Sequence, residues 1–345
     1  MSNQVYSHSP IWWGGKSLHG FVKNLDEKSF RITLDKDYGH YLRVIICLFR
    51  PDFPQIPCPT GFSKFNRQQA THNDQIHKNM KNHYSIKLYT IYFIMILGIL
   101  IVLNISPIPQ DPKYHNFADQ RQLIGIPHFW NVISNMPFII VSFLAVINLL
   151  KGGILKFPPA LFSCYFIFFL AIGAVGIGSA FYHLQPSNKT LLWDRLPMTI
   201  AFMAFMAIVI GEYISEKIAL KFLLPLIFIG VVSVTYWHFT EQAGHGDLRA
   251  YALVQFLPML IIPMILVMFK ARYTHTRYLW AMLLTYLMAK IFETFDGQIF
   301  SMISLSGHTI KHIVAALGPY LFFHALKKRS DFFVISKKNN YSKSK

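Results

Sequence analysis

The chain has 345 residues, of which 53% are hydrophobic and only 14% charged, with a mean hydropathy of +0.36. That balance excludes an ordinary soluble domain, in which about a quarter of the residues are charged. The formal net charge of +17 invites a nucleic-acid reading, and the placement of the charge along the chain excludes it.

Residues 1–87 lack an apolar helical stripe and are rich in His, Asn, Lys and aromatic residues. Their apolar stretch VIICLF is too short to cross a membrane. The predicted organisation is a disordered cytoplasmic extension over 1–87. MKNHYSIKLYTIYFIMILGILIVL, from Met80, reads as a complete signal-anchor-like beginning, a methionine and a short basic region before a long apolar run. Two readings follow: a natural start at Met80 with 1–79 an upstream extension, or an ordinary cytoplasmic arm.

A helical span needs about 20 apolar residues, and eight stretches qualify: 88–106, 131–150, 159–182, 195–214, 219–237, 250–269, 278–296 and 308–325. The predicted fold class is all-α, a polytopic membrane helical bundle. Lysine and arginine recur at alternate junctions (Lys78, Lys81 and Lys87; Lys151 and Lys156; Lys217 and Lys221; Lys270, Arg272 and Arg277) and in the basic tail 326–345. The other junctions carry Asp111, Asp119, Asp194, Glu241 and Asp247. This is the positive-inside pattern, and it predicts both termini in the cytoplasm. Cys47, Cys58 and Cys164 form no CxxC pair or even framework, so neither a disulfide scaffold nor a thiolate metal site is expected.

The predicted topology brings five polar residues to one membrane level. Span 159–182 ends on the outer side with Ser179 and His183, four apart and therefore on one helical face. Asp194 opens the next span on that same side. His308 and His312, again four apart, open the last span from outside. Three imidazoles on two helices suit a catalytic zinc ion, which takes three protein ligands and keeps a fourth position for water. Asp194 is then the candidate proton carrier and Ser179 a donor to an oxyanion. Each residue also has a plainer reading. His183 alone reads as a packing residue and Ser179 as a small helix contact beside Gly176 and Gly178. Asp194 alone reads as a cap or a partner of Arg195. An HxxxH pair is unsurprising in a chain with fifteen histidines. Convergence at one depth favours the metal site.

The spacing Ser179-x3-His183-x10-Asp194, with His308-x3-His312 near the C-terminus, resembles the alkaline ceramidase family of seven-helix membrane hydrolases, which are related to adiponectin-receptor-like proteins. HFWNVISNMPFI, with Phe129, Trp130, Asn131, Ser134 and Asn135, is similar to the segment that opens the first family helix. The resemblance covers 119–325. It implies a seven-helix catalytic core, with 88–106 as one extra N-terminal transmembrane helix. It further implies zinc on His183, His308 and His312, catalysis by Asp194 and Ser179, and hydrolysis of a ceramide-like lipid to a fatty acid and a long-chain base. Eukaryotic members carry an acidic calcium-binding stretch with a Trp-Cys-Glu signature before that helix. Here DQRQLIGIPHF keeps Asp119 but places His128 where a glutamate is expected. Calcium wants several hard oxygens, so its binding is not expected. The alternatives are a hydrolase of another lipid amide or ester, and a non-enzymatic seven-helix receptor or scaffold with a structural zinc.

Lys290, Glu293 and Asp296 fall near one helical face, with Lys290 and Glu293 read as an ion pair; the alternative reading is that Glu293 or Asp296 lines the catalytic chamber. Asp247 is a candidate cap, His245 a loop histidine or a fourth ligand, and Gln255 a contact to a head group or a neighbouring helix. His238, His275 and His324 receive no role. No phosphate loop, nucleotide fingerprint or HExxH occurs, and no repeat of broken helices suggests a transporter. The predicted partner is a membrane lipid, not nucleic acid. The host is a bacterial inner membrane or an ER or Golgi membrane, with the site on the periplasmic or lumenal side.

Overall fold

The computed structural model describes residues 60–331, so residues 1–59 and the tail beyond Asp331 lie outside the described part. The chain divides into two units, Met1–His77 and Lys78–Lys345, and everything below concerns the second apart from the start of its first helix. Among the described residues there is no β-strand, only the isolated bridges Leu123–Ile126 and Tyr273–Asp331. The helices are α1 (Thr60–Asn104), α2 (Phe129–Ile133), α3 (Met136–Lys151), α4 (Phe162–Leu184) and α5 (Asn188–Tyr213). They continue as α6 (Glu216–Gln242), α7 (Arg249–Met268), α8 (Arg277–Thr294), α9 (Asp296–Ile303) and α10 (Gly307–Lys328).

Six of these segments are long and apolar enough to cross a membrane: 82–104, 129–151, 159–184, 188–213, 216–242 and 249–268. Helices α8 and α10 occupy the expected spans 278–296 and 308–325. They are less apolar because Lys290, Glu293, Lys311 and the histidines interrupt them. The expected total of eight crossings therefore has six counterparts by length and hydropathy.

Two boundaries differ from expectation. Helix α1 begins at Thr60, far upstream of the predicted 88. Residues 62–87 contain no proline or glycine to stop a helix, and they lack only the apolar stripe by which a helix is recognised in sequence. Helix α5 begins at Asn188, where the sequence reading placed 195. Ser187 caps it through Thr190 N–H, and Thr190 returns a hydroxyl contact to the Ser187 backbone. This reciprocal cap uses a threonine at N3 instead of the usual Glu or Gln, so it was not recognised.

Helix α5 is the central element, with 67% of its apolar window buried against 6% for that of α1. It packs between α4 and α6 and against α7, while α10 lies against α3 and α8. The middle of the core is aromatic. Phe168 and Phe169 of α4, Phe205 of α5 and Phe322 of α10 stack or meet edge to face. At the end of α5 remote from Asp194, Glu212 pairs with Arg329 at 2.6 Å with both side chains 4% exposed. Tyr165 hydrogen-bonds both partners. Such a pair adds little net stability but is costly to break.

Candidate metal centre

Small residues bring the site together. A Cβ on Gly178 would collide with the Trp193 carbonyl oxygen and lie 2.9 Å from its carbonyl carbon. Glycine at 178 therefore lets α4 touch the backbone of α5 beside Asp194. Gly176 does the same against α3, where a Cβ would lie 3.0 Å from Asn135 O. Gly307 allows the start of α10 to press against Phe292 and Asp296. These close contacts set where the neighbouring Ser179, Asp194 and His308 stand.

The start of α10 is fixed by Asp296. Its Oδ1 accepts from Ser306 Oγ at 2.5 Å and from His308 N–H at 2.9 Å, and Oδ2 accepts from Ala118 N–H at 2.9 Å. Asp296 therefore does not share a helix with Lys290 and Glu293. The chain breaks after Thr294, and Asp296 opens α9. The expected Lys290–Glu293 pair is present at 2.6 Å. Glu293 also takes Lys311 at 3.2 Å and the Tyr114 hydroxyl at 3.2 Å.

His183, His308 and His312 come together. They are 1%, 4% and 3% exposed, and one ring nitrogen from each lies within 4.8 Å of the others. The ring centroids are 4.8 to 4.9 Å apart. His312 Nδ1 lies 2.8 Å from Ser134 Oγ, while its Nε2 is buried without a partner, as is His183 Nδ1. Unpaired buried polar atoms are costly. Two such atoms fall in one cluster of three imidazoles that could hold a metal ion, and imidazole donors are a set that zinc accepts. Among the described residues no fourth His, Cys, Asp or Glu joins the group. His245 is an exposed loop residue bonded to Ala243 O.

Asp194 and Ser179 are both buried and line the same cavity. Because α5 starts at Asn188, Asp194 lies inside the helix and is not its cap. Nor does Arg195 pair with it: Arg195 donates to Gln110 Oε1 at 2.7 Å. Ser179, Asp194, Lys311 and His312 line one cavity of about 230 Å³. Much of its wall is apolar, with Phe138, Phe168, Ile172, Met198 and Phe202. Gln255 lines it too and donates to Tyr286 OH at 3.0 Å.

Several contributors were not legible as such. Ser134 and Asn131, within the FWNVISN segment, hold α10. Asn131 Oδ1 accepts from Thr309 Oγ1 at 2.7 Å, one turn from the Ser134 contact to His312. Phe117, in the connection from α1 to α2, lays its ring 4.6 Å from His183 and 4.4 Å from His308. His115 bonds Tyr182 OH and Asn188 Oδ1, both at 2.8 Å. The connection thereby forms a plug over the histidines. Lys311 Nζ lies 2.8 Å from His308 Nε2. A lone lysine within an apolar span was the available signal for it.

In the plug, Asp119 is 2% exposed and receives Arg121 through Nε at 2.8 Å and Nη2 at 2.5 Å. The Arg121 guanidinium holds the Asp119 carboxyl below its ordinary range. Arg121 also donates to Ser304 O at 2.8 Å, tying the plug to the end of α9. Asp247, expected as a cap, lies one residue before the actual cap position Leu248 of α7; it accepts from the backbone N–H of Arg249 at 3.0 Å, and the Arg249 guanidinium holds its carboxyl low.

A family model described as Ceramidase matches residues 123–340. The match takes in α2 through α10 and every residue of the histidine cluster. No curated protein matches the chain significantly.

Proposed function

The chain belongs to the ceramidase family, and on that premise we propose that it is a zinc-dependent membrane amidase, cleaving a ceramide-like lipid to a fatty acid and a long-chain base. The observation that carries this reading is the buried three-imidazole cluster, with two ring nitrogens unpartnered, beside Asp194 and Ser179 on an apolar cavity. His183, His308 and His312 would hold the ion. Zinc in such a site supplies Lewis acidity, polarising a carbonyl and bringing the pKa of a water to about 7.

The chain's own residues do the rest. The apolar wall takes the acyl chain, reached laterally between helices, while the plug over the histidines excludes bulk water. Asp194 accepts the proton of the attacking water and passes it to the amide nitrogen, which cannot leave as an anion. The Ser179 hydroxyl donates to the oxygen that gains charge at the attacked carbon. Ser134 orients His312 by engaging its other ring nitrogen.

We also propose that α8 and α10 cross the membrane, giving a seven-helix core with α1 as an extra span. The termini are then cytoplasmic and the site faces the outer side, as the alternating charge supports. Calcium has no place in the proposal, because Arg121 engages both oxygens of Asp119. A receptor or scaffold with structural zinc would ordinarily close the metal with a fourth protein ligand. The three-residue cluster favours the enzyme.

The test is release of fatty acid from ceramides and from a lipid extract by purified protein. Wild type is expected to be active, and Asp194→Asn to keep the metal and lose turnover. Turnover by Asp194→Asn equal to wild type overturns the mechanism.

A further inference from the structure

Of the three cations that line the cavity, Lys290 and Lys311 are paired with Glu293, and Arg195 enters no ion pair among the described residues. Its side chain is 5% exposed. Its Nη2 is held by Gln110 Oε1 at 2.7 Å, and its Nη1 is buried without a hydrogen-bond partner. The guanidinium is clamped by three aromatic rings, with Cζ 4.4 Å from the centroid of Trp237, 4.7 Å from Tyr251 and 5.5 Å from Tyr114. None of the ion pairs among the described residues includes it. Cation–π contacts hold a guanidinium in place but leave its N–H groups unsatisfied. An unpaired buried charge is expensive unless a ligand supplies its partner.

The charge of the cavity points the same way. Arg195, Lys290 and Lys311 line it together with only Asp194 and Glu293. Glu293 is shared between the two lysines. Cations thus outnumber carboxylates before any metal adds its own charge. A lining of this sign suits an anionic ligand better than a neutral one.

We propose that Arg195 is a specificity-determining residue that receives an anionic group, a carboxylate or phosphate, borne by the amine half of the lipid amide. This deepens the amidase reading and rests on it for the word substrate. The substrate class becomes an N-acylated amine carrying an acidic group near the amide nitrogen. Tyr114, Trp237 and Tyr251 fix the guanidinium in advance, so little ordering is lost when the anion arrives. Gln110, from the plug, holds the other nitrogen, leaving Nη1 for the ligand.

The test is direct binding to the full chain in detergent, read by calorimetry, with three probes of equal acyl length: an N-acylglycine, a neutral N-acylethanolamine and the free fatty acid. The N-acylglycine is expected to bind wild type more tightly than the neutral amide. A hydrogen bond to a charged partner carries about 1.5–3 kcal/mol, so Arg195→Gln should weaken N-acylglycine roughly tenfold to a hundredfold. It should weaken the neutral probe less, and Arg195→Lys should recover part of the loss. Equal affinity of wild type for the charged and neutral amides overturns the proposal, and this comparison decides even where Arg195→Gln does not fold. So does an equal loss for both amides in Arg195→Gln. Fatty acid binding with the same dependence on Arg195 overturns it as well, by assigning the contact to a product carboxylate. Selective binding of N-acylglycine without hydrolysis of any amide refutes the amidase reading and leaves the role of Arg195 standing.

Discussion

The contact at Gly178 predicts that one methyl group in a helix interface disables the site without touching a candidate ligand. In Gly178→Ala the new Cβ meets the Trp193 carbonyl, with the carbon only 2.9 Å away. Carbon atoms pack at about 3.5–4.0 Å, so α4 and α5 must separate by roughly 1 Å at this level. The interacting atom is backbone, so no side chain can turn aside to absorb the change. Overpacking of this kind costs about 1–3 kcal/mol. Asp194 follows Trp193 directly and would be carried away from Ser179 and the histidines. A displacement near 1 Å costs on the order of a hundredfold in rate. The assay is fatty acid release by purified Gly178→Ala beside its thermal unfolding. The expected result is folded protein with a lower melting temperature and turnover down about a hundredfold. Wild-type turnover and melting would show that the helices do not need this approach, refuting the argument that glycine positions the carboxylate.

Other consequences are separable. Ser134→Ala removes the 2.8 Å partner of His312 Nδ1 and should weaken zinc affinity roughly tenfold to a hundredfold in a chelator competition, as outer partners of metal-bound histidines do. Asp296→Ala removes the acceptor for Ala118 N–H and one of the two acceptors for His308 N–H, the Ser306 hydroxyl being the other. A loss of about 1.5–3 kcal/mol is expected for hydrogen bonds to a charged group, visible as faster hydrogen exchange at 307–312. Glu212→Gln leaves Arg329 buried without its counter-charge and should cost about 3–5 kcal/mol, while zinc content in the folded protein stays unchanged. The Asp119 carboxyl lies below its ordinary 3.8 in the fold. Its contribution is therefore fully present above that value and is lost as pH falls through the lower folded one. Arg121→Gln should move acid unfolding, followed by circular dichroism, to higher pH; an unmoved midpoint would refute the pairing.

Most of the helices could be read from apolar runs because an apolar solvent imposes one rule on every span. The histidine pairs could be read as neighbours for a similar reason. An alternating topology would bring the end of α4 and the starts of α5 and α10 to one side, whatever the helices do in between. What escaped belongs to contacts that no local pattern encodes. Phe117 is an aromatic in a polar connection, and its place over His183 and His308 follows from anchors at His115, Gln110 and Ala118 to four different helices. Asp194 looked like a helix cap because the cap at Ser187 used threonine at its third position. Lys311 and Arg195 were visible as charges. Their partners, Glu293 and the rings of Tyr114, Trp237 and Tyr251, come from distant parts of the chain. The separation of Asp296 from α8 was hidden because its spacing from Lys290 fits a continuous helix.

The central claim is that the three imidazoles hold a zinc ion beside a working carboxylate. Metal analysis of purified wild type, Asp194→Asn and His308→Ala, each paired with ceramide hydrolysis, tests it most directly. Stoichiometric zinc in wild type and Asp194→Asn, its loss in His308→Ala, and turnover confined to wild type are predicted. Zinc-free wild type that still releases fatty acid, or undiminished zinc in folded His308→Ala, would contradict it.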